Sequence, residues 1–160
     1  MSIQNSVSSI EYGKLWDEVL SQETDHYVPE KYQLGIIAEF LSQQDIPFIT
    51  EGRVFCYPID VLALQNGSTI SIEMKSKNVG RGIEQAHRNT DFVDYSFLSV
   101  WDEDISDELL EQVSELPIGL MGIGDSVEIY SLPTQTGQQL CSSERVVELI
   151  ESHVRSHNSI

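Results

Sequence analysis

Positive charge is scarce in this chain: nine Lys and Arg, four of them Lys, stand against 26 Asp and Glu, for a net charge of −17. Taken over the whole molecule, that balance argues against a nucleic-acid partner, because phosphate-binding surfaces are basic. Cysteine is nearly as rare. Cys56 and Cys141 lie 85 residues apart, with no Cys or His at zinc-ligand spacing. That argues against a disulfide framework or structural zinc and agrees with a reducing compartment. Long apolar runs are missing too, none approaching the roughly 18 residues that span a bilayer. The opening residues, MSIQNSVSSIEYGKLWDE, show neither the basic start nor the apolar run of a secretory signal. The expectation is a soluble, cytoplasmic protein without a membrane partner.

What is present is enough for a core. With 40% hydrophobic residues over 160 positions, and no repeat, low-complexity tract or Pro/Gly linker, the chain reads as a single domain spanning 1–160. Disorder does not fit, since Leu, Ile, Val and Phe recur throughout in periodic segments. The acidity is then read as the surface of a halophilic protein, one that tolerates self-repulsion because concentrated salt screens it.

Apolar spacing predicts helices at 9–20 and from Pro29 to about Gln44 on Leu34, Ile37, Ala38 and Leu41. From Pro47 the period becomes strand-like, with strands expected at 47–56, 58–65 and 68–76. A helix at 81–92, a strand at 95–101, an acidic helix at 105–115, strands at 117–123 and 127–132 and a closing helix at 143–155 follow. This order implies an α/β fold, a mixed sheet flanked by helices.

Asn66-Gly67 is a strong signal for a two-residue hairpin turn. With those two residues at its centre, Gln65 faces Ser68, and the register places Asp60 opposite Glu73. The same register pairs Ile59 with Met74, Val61 with Ile72 and Ala63 with Ile70 on one apolar face, leaving Asp60, Glu73 and Lys75 on the other. Like charges directly opposite on a sheet are destabilising, so the two carboxylates call for an explanation. A divalent cation supplies one: Mg²⁺ is commonly held by one or two carboxylates and keeps its other positions for water and phosphate oxygens. Lys75, on the same face, is placed to stabilise transition-state charge or to help activate a water. The alternative is an ordinary exposed sheet face, which Leu62 and Leu64 on that face argue against.

Pro58-Ile59-Asp60, twelve intervening residues, then Glu73-Met74-Lys75 resembles the signature of the PD-(D/E)xK nucleases. These include many restriction endonucleases, archaeal Holliday junction resolvases and RecB-like nucleases. The resemblance covers about residues 28–132 and implies a restriction-endonuclease-like core of order αβββαβ. It implies Asp60 and Glu73 as ligands of Mg²⁺ or Mn²⁺ and Lys75 as the catalytic lysine. The proline stands two residues before Asp60 instead of one. Many members add an acid from the preceding helix, where Glu30 and Glu39 both qualify. RecB-like members carry a glutamine followed four residues later by a tyrosine; this chain has Gln85 and then Asn89.

Resolved along the chain, the basic residues are not scattered. Residues 74–90 hold Lys75, Lys77, Arg81 and Arg88 against only Glu84, whereas 91–128 hold 11 acids and no Lys or Arg. Such segregation confines phosphate contact to one face, with Lys77, Arg81, Gln85 and Arg88 as the nucleic-acid-binding candidates. His87 is a further candidate beside them. His153 and His157, spaced i, i+4, are read as residues of a helix end before a metal pair. Gly119, Gly122 and Gly124 lack the GK[ST] of a phosphate loop. The expected function is thus a metal-dependent endonuclease or phosphodiesterase acting on nucleic acid, DNA before RNA, with a homodimer as the way to cut both strands. The competing readings are an inactive nuclease-like binding or regulatory module and an acidic protein-interaction domain.

Overall fold

A computed structural model of the chain describes residues 28–54, 57–135 and 146–152. Helix α1 (Val28–Gln43) buries Leu34, Ile37, Ala38 and Leu41 along one stripe. It stops in a Schellman turn: Asp45 takes φ 57°, its N–H bonds Ser42 C=O at 3.2 Å, and Ile46 N–H bonds Leu41 C=O at 3.0 Å. Ile46 and Leu41 then pack in the same cluster, the apolar contact that accompanies such a cap.

Strands β1 (Phe48–Val54), β2 (Tyr57–Gln65) and β3 (Ser68–Met74) form an antiparallel meander. At the β2–β3 turn Asn66 and Gly67 have φ of 53° and 82°, the pair of positive angles a type I′ turn needs. The ladder is the expected one, with Gln65 on Ser68, Ala63 on Ile70 and Val61 on Ile72. Helix α2 (Val79–Asn89) crosses to β4 (Tyr95–Trp101). A 3₁₀ turn (Asp102–Asp104) and α3 (Asp107–Ser114) follow, α3 being capped by Ser106 Oγ accepting Leu109 N–H at 3.1 Å. Strands β5 (Gly119–Ile123) and β6 (Val127–Ser131) close the sheet.

The six strands lie in sequence order, with β3, β4 and β5 mutually parallel and β6 antiparallel to β5. Residues 146–152 form a helical segment, α4. On one face α1 covers Phe48, Val61, Ala63, Ile72, Met74, Phe97, Met121 and Ile123. On the other, α4 sets Val146 and Ile150 against Ile49 and Leu62, while α2 and α3 cover Leu98, Val100 and Leu120. The chain is therefore α/β, a mixed sheet between two helical layers, and its middle runs αβββαβ as expected. Helix 9–20, His153 and His157 lie outside the described residues, as do the ends of the helix expected at 143–155. Among the described residues, no helix is long and apolar enough to cross a membrane.

Two expected pairings are not made: the β2–β3 ladder ends at Val61–Ile72, so it pairs neither Asp60 with Glu73 nor Ile59 with Met74. Ile59 is buried with Ile49, Leu62, Phe92 and Val93, whereas Met74, Val61 and Ala63 belong to the cluster under α1. Strict alternation along β2 therefore ends at Asp60.

Candidate functional site

That break is where the carboxylates meet. In a two-residue hairpin the residues flanking the turn form a hydrogen-bonded pair, and such pairs alternate along the ladder. Met74 N–H would therefore bond Ile59 C=O if the ladder continued. The Asp60 carboxylate takes that N–H, Oδ2 accepting it at 2.9 Å. Asp60 is thus pinned across the hairpin at the carboxyl end of β3, beside Glu73. In parallel α/β sheets that end of the strands is where ligands bind.

Glu73 is 4% exposed. Burial, then the charge of Asp60 and a hydrogen bond to it, push its carboxyl up to about 8. Asn89 and the charge of Arg88 pull the other way without offsetting the rise. At neutral pH Glu73 is therefore largely protonated and donates to Asp60, the two carboxyls sharing one proton. Its other partner is Asn89, whose Nδ2 donates to Glu73 Oε1 at 2.9 Å.

Asn89 reaches the sheet because α2 presents a face of small residues, Gly82, Ala86 and Asn89, all buried. Ala86 C=O accepts the Ser96 hydroxyl at 2.6 Å, and Ser96 Oγ in turn accepts from Ser71 Oγ at 3.0 Å. Gly82 leaves room for Lys75: a Cβ there would lie 2.5 Å from Lys75 Cγ and 2.9 Å from Leu98 Cδ1. The stem of Lys75 thus runs along the same helix that Glu73 touches through Asn89. The Lys75 backbone is held from both sides, its N–H on Ser99 C=O at 2.9 Å and its C=O accepting from Gln33 Nε2 at 2.9 Å.

Gln33 is fully buried and also accepts Ser99 Oγ at 2.8 Å through Oε1. One turn earlier on α1, Glu30 Oε1 faces Ser76 N–H at 3.4 Å. Glu39 is exposed. Of the two acids on the first helix, Glu30 is the one the fold brings to the end of β3.

The basic residues on α2 and just before it divide. Lys77, Arg81 and His87 are exposed, while Gln85 and Arg88 are half-buried; the charge of Arg88 acts on Glu73. Two residues near the motif, Gln33 and Asn89, had no assigned role in the sequence reading. Gln33 falls between Glu30 and Leu34, a polar residue at the edge of an apolar helical stripe. Asn89 stands where the nuclease pattern has tyrosine.

Among the described residues, no three His, Cys, Asp or Glu side chains group as a metal site. Asp60 and Glu73 are a pair, a number of protein donors that suffices for Mg²⁺ when water and phosphate oxygens complete its shell.

No family model matches the chain, and no curated protein does. Among solved structures it is similar to the SPO1766 protein of unknown function from Silicibacter pomeroyi. The TM-score is 0.62 at 18% identity, over 77% of this chain and 84% of that one. At this identity the likeness is one of fold.

Proposed function

We propose that the chain is a Mg²⁺- or Mn²⁺-dependent phosphodiesterase of the restriction-endonuclease-like type, acting on nucleic acid and on DNA before RNA. The observation that carries this reading is the Asp60–Glu73 carboxyl pair at the carboxyl end of β3, Glu73 buried and Asp60 half-buried, with Lys75 following on the same strand end. Two carboxyls held this close occupy a place a divalent cation fits. When bound, such a cation polarises a phosphate and lowers the pKa of a water.

The residues divide the remaining work. Asp60 and Glu73 hold the cation. Lys75, its backbone fixed by Gln33 and Ser99 and its stem guided by Gly82, stabilises the charge that develops on the phosphate. Lys77, exposed just before α2, and Arg81, exposed near its start, contact flanking phosphates, and the acidic remainder of the surface confines nucleic acid to this face.

The test is incubation with plasmid, single-stranded and branched DNA, with Mg²⁺ or Mn²⁺, from dilute buffer to molar KCl. Cleavage that needs the cation is expected, passing through a maximum as KCl rises. Salt near 1 M shortens the Debye length to about 3 Å and relieves the self-repulsion of an acidic fold. Each phosphate contact meanwhile lowers log K by about 0.9 per log unit of salt. Thermal stability should therefore climb steadily with KCl. Stability that falls as KCl is added contradicts the halophilic explanation of the charge, and no cation-dependent cleavage of any of the three DNAs contradicts the nuclease reading.

A further inference from the structure

We infer that Asn89 is the positioning residue of the Asp60–Glu73 site: its Nδ2 fixes Glu73 for cation binding, and its Oδ1 accepts a hydrogen bond from water that enters with the cation. The inference rests on reading the carboxyl pair as a cation site.

Asn89 is fully buried at the end of α2. A side-chain amide in such a place costs free energy unless both of its ends are satisfied. Only one end is. Nδ2 donates to Glu73 Oε1 at 2.9 Å, while Oδ1 is buried without a hydrogen-bond partner. Four residues earlier on the same helix, Gln85 Oε1 is buried and unpartnered as well. Both atoms are acceptors left without a donor, on the helix that meets Glu73 through Asn89. The charge of Arg88 acts on Glu73, yet neither the Asn89 nor the Gln85 carbonyl meets a donor, and the water of a hydrated divalent cation supplies one.

A residue whose only task was to cap Glu73 would need a donor and nothing more. The orphan carbonyl on the same planar amide distinguishes an amide built to meet a ligand from one that only supports the fold. Groups that orient metal ligands in this way typically change metal affinity ten- to a hundredfold when removed.

The experiment is Mn²⁺ binding to the full chain by calorimetry and by water-proton relaxation. It compares wild type, Asn89→Ala and Asn89→Leu, with Asp60→Ala as the reference for a lost site. Wild type should bind Mn²⁺, Asp60→Ala should not, and both Asn89 variants should bind about ten- to a hundredfold more weakly. Unfolding midpoints without metal are measured for each variant, so that weaker binding by a folded variant is separated from loss of the fold. In wild type, adding Mg²⁺ should shift the Asn89 side-chain NH₂ resonances, a readout that depends on no variant folding. If wild type binds Mn²⁺ through Asp60 but the Asn89 variants bind within twofold of it, or the Asn89 resonances do not move with Mg²⁺, the inference is wrong and the cation site stands. If wild type binds no Mn²⁺, the cation reading fails and this inference with it.

Discussion

Lys75→Ala is expected to lower the cleavage rate by roughly a hundred- to a thousandfold, the usual cost of deleting one preorganised group that faces developing charge. Substrate affinity should change little, because the interaction strengthens only in the transition state, so the loss should appear in kcat and not in KM. Folding should survive, since the hydrogen bonds that hold this position, to Ser99 C=O and from Gln33 Nε2, belong to the backbone. Gly82→Ala offers a test that leaves Lys75 in place. Alanine is the better helix former by about 1 kcal/mol, yet a Cβ at this position would crowd Lys75 Cγ at 2.5 Å and Leu98 Cδ1 at 2.9 Å. The side chain of Lys75 must then shift and kcat should fall; crowding the buried Leu98 also costs about 1–3 kcal/mol of stability, so the assay is run well below the unfolding midpoint. Full activity in both variants, measured on purified protein alongside an inactive Asp60→Asn control, would place the chemistry elsewhere.

The second large effect is on pH. Glu73 sits at about 8 in the folded protein against an ordinary 4.5. The native state therefore binds more protons than the unfolded chain between those values. Stability contributed by this group is complete below about 4.5 and declines as pH rises towards 8, where the decline ends. The slope is at most about 1.4 kcal/mol per pH unit for one proton. Glu73→Gln mimics the protonated carboxyl, keeping a donor for Asp60 and an acceptor for Asn89. It should therefore unfold at a higher temperature than wild type at pH 8, and the gap should close towards pH 5. Each kcal/mol is worth about 2–4 °C for a chain of this size.

Cation affinity runs in the opposite direction. Binding has to displace the shared proton, so apparent Mg²⁺ affinity should rise up to tenfold per pH unit until Glu73 is ionised. Equal pH dependence of Tm in wild type and Glu73→Gln would show that Glu73 does not carry a shared proton.

The hairpin was legible because Asn66-Gly67 leaves few options: two adjacent residues suited to positive φ fix the turn type, and the turn type fixes the pairing down to Val61–Ile72. The α1 stripe, the alternation of β3 and the order of elements were legible from period alone. The departure at Ile59 was not. It comes from a side chain, Asp60, taking the N–H of Met74, and hydrophobic period carries no record of such a substitution. Glu30 and Glu39 could not be separated by sequence, since both are acids on one helix and only the placement of α1 against the end of β3 distinguishes them. Gln33 and Asn89 were hidden for the same reason. Their partners, Ser99 and Glu73, are 66 and 16 residues away, and their hydrogen bonds exist only once helices and sheet are packed.

The most direct test of the cation site is a crystal of the protein grown with Mn²⁺ and measured for anomalous scattering. A peak between the Asp60 and Glu73 carboxylates is expected, close to the metal–oxygen distance of about 2.0–2.1 Å that holds for Mg²⁺, with the hydrogen bond between the two carboxyls broken. Asp60 and Glu73 still bonded to one another, with no peak between them in crystals soaked above the Mn²⁺ concentration that supports cleavage, would contradict the account.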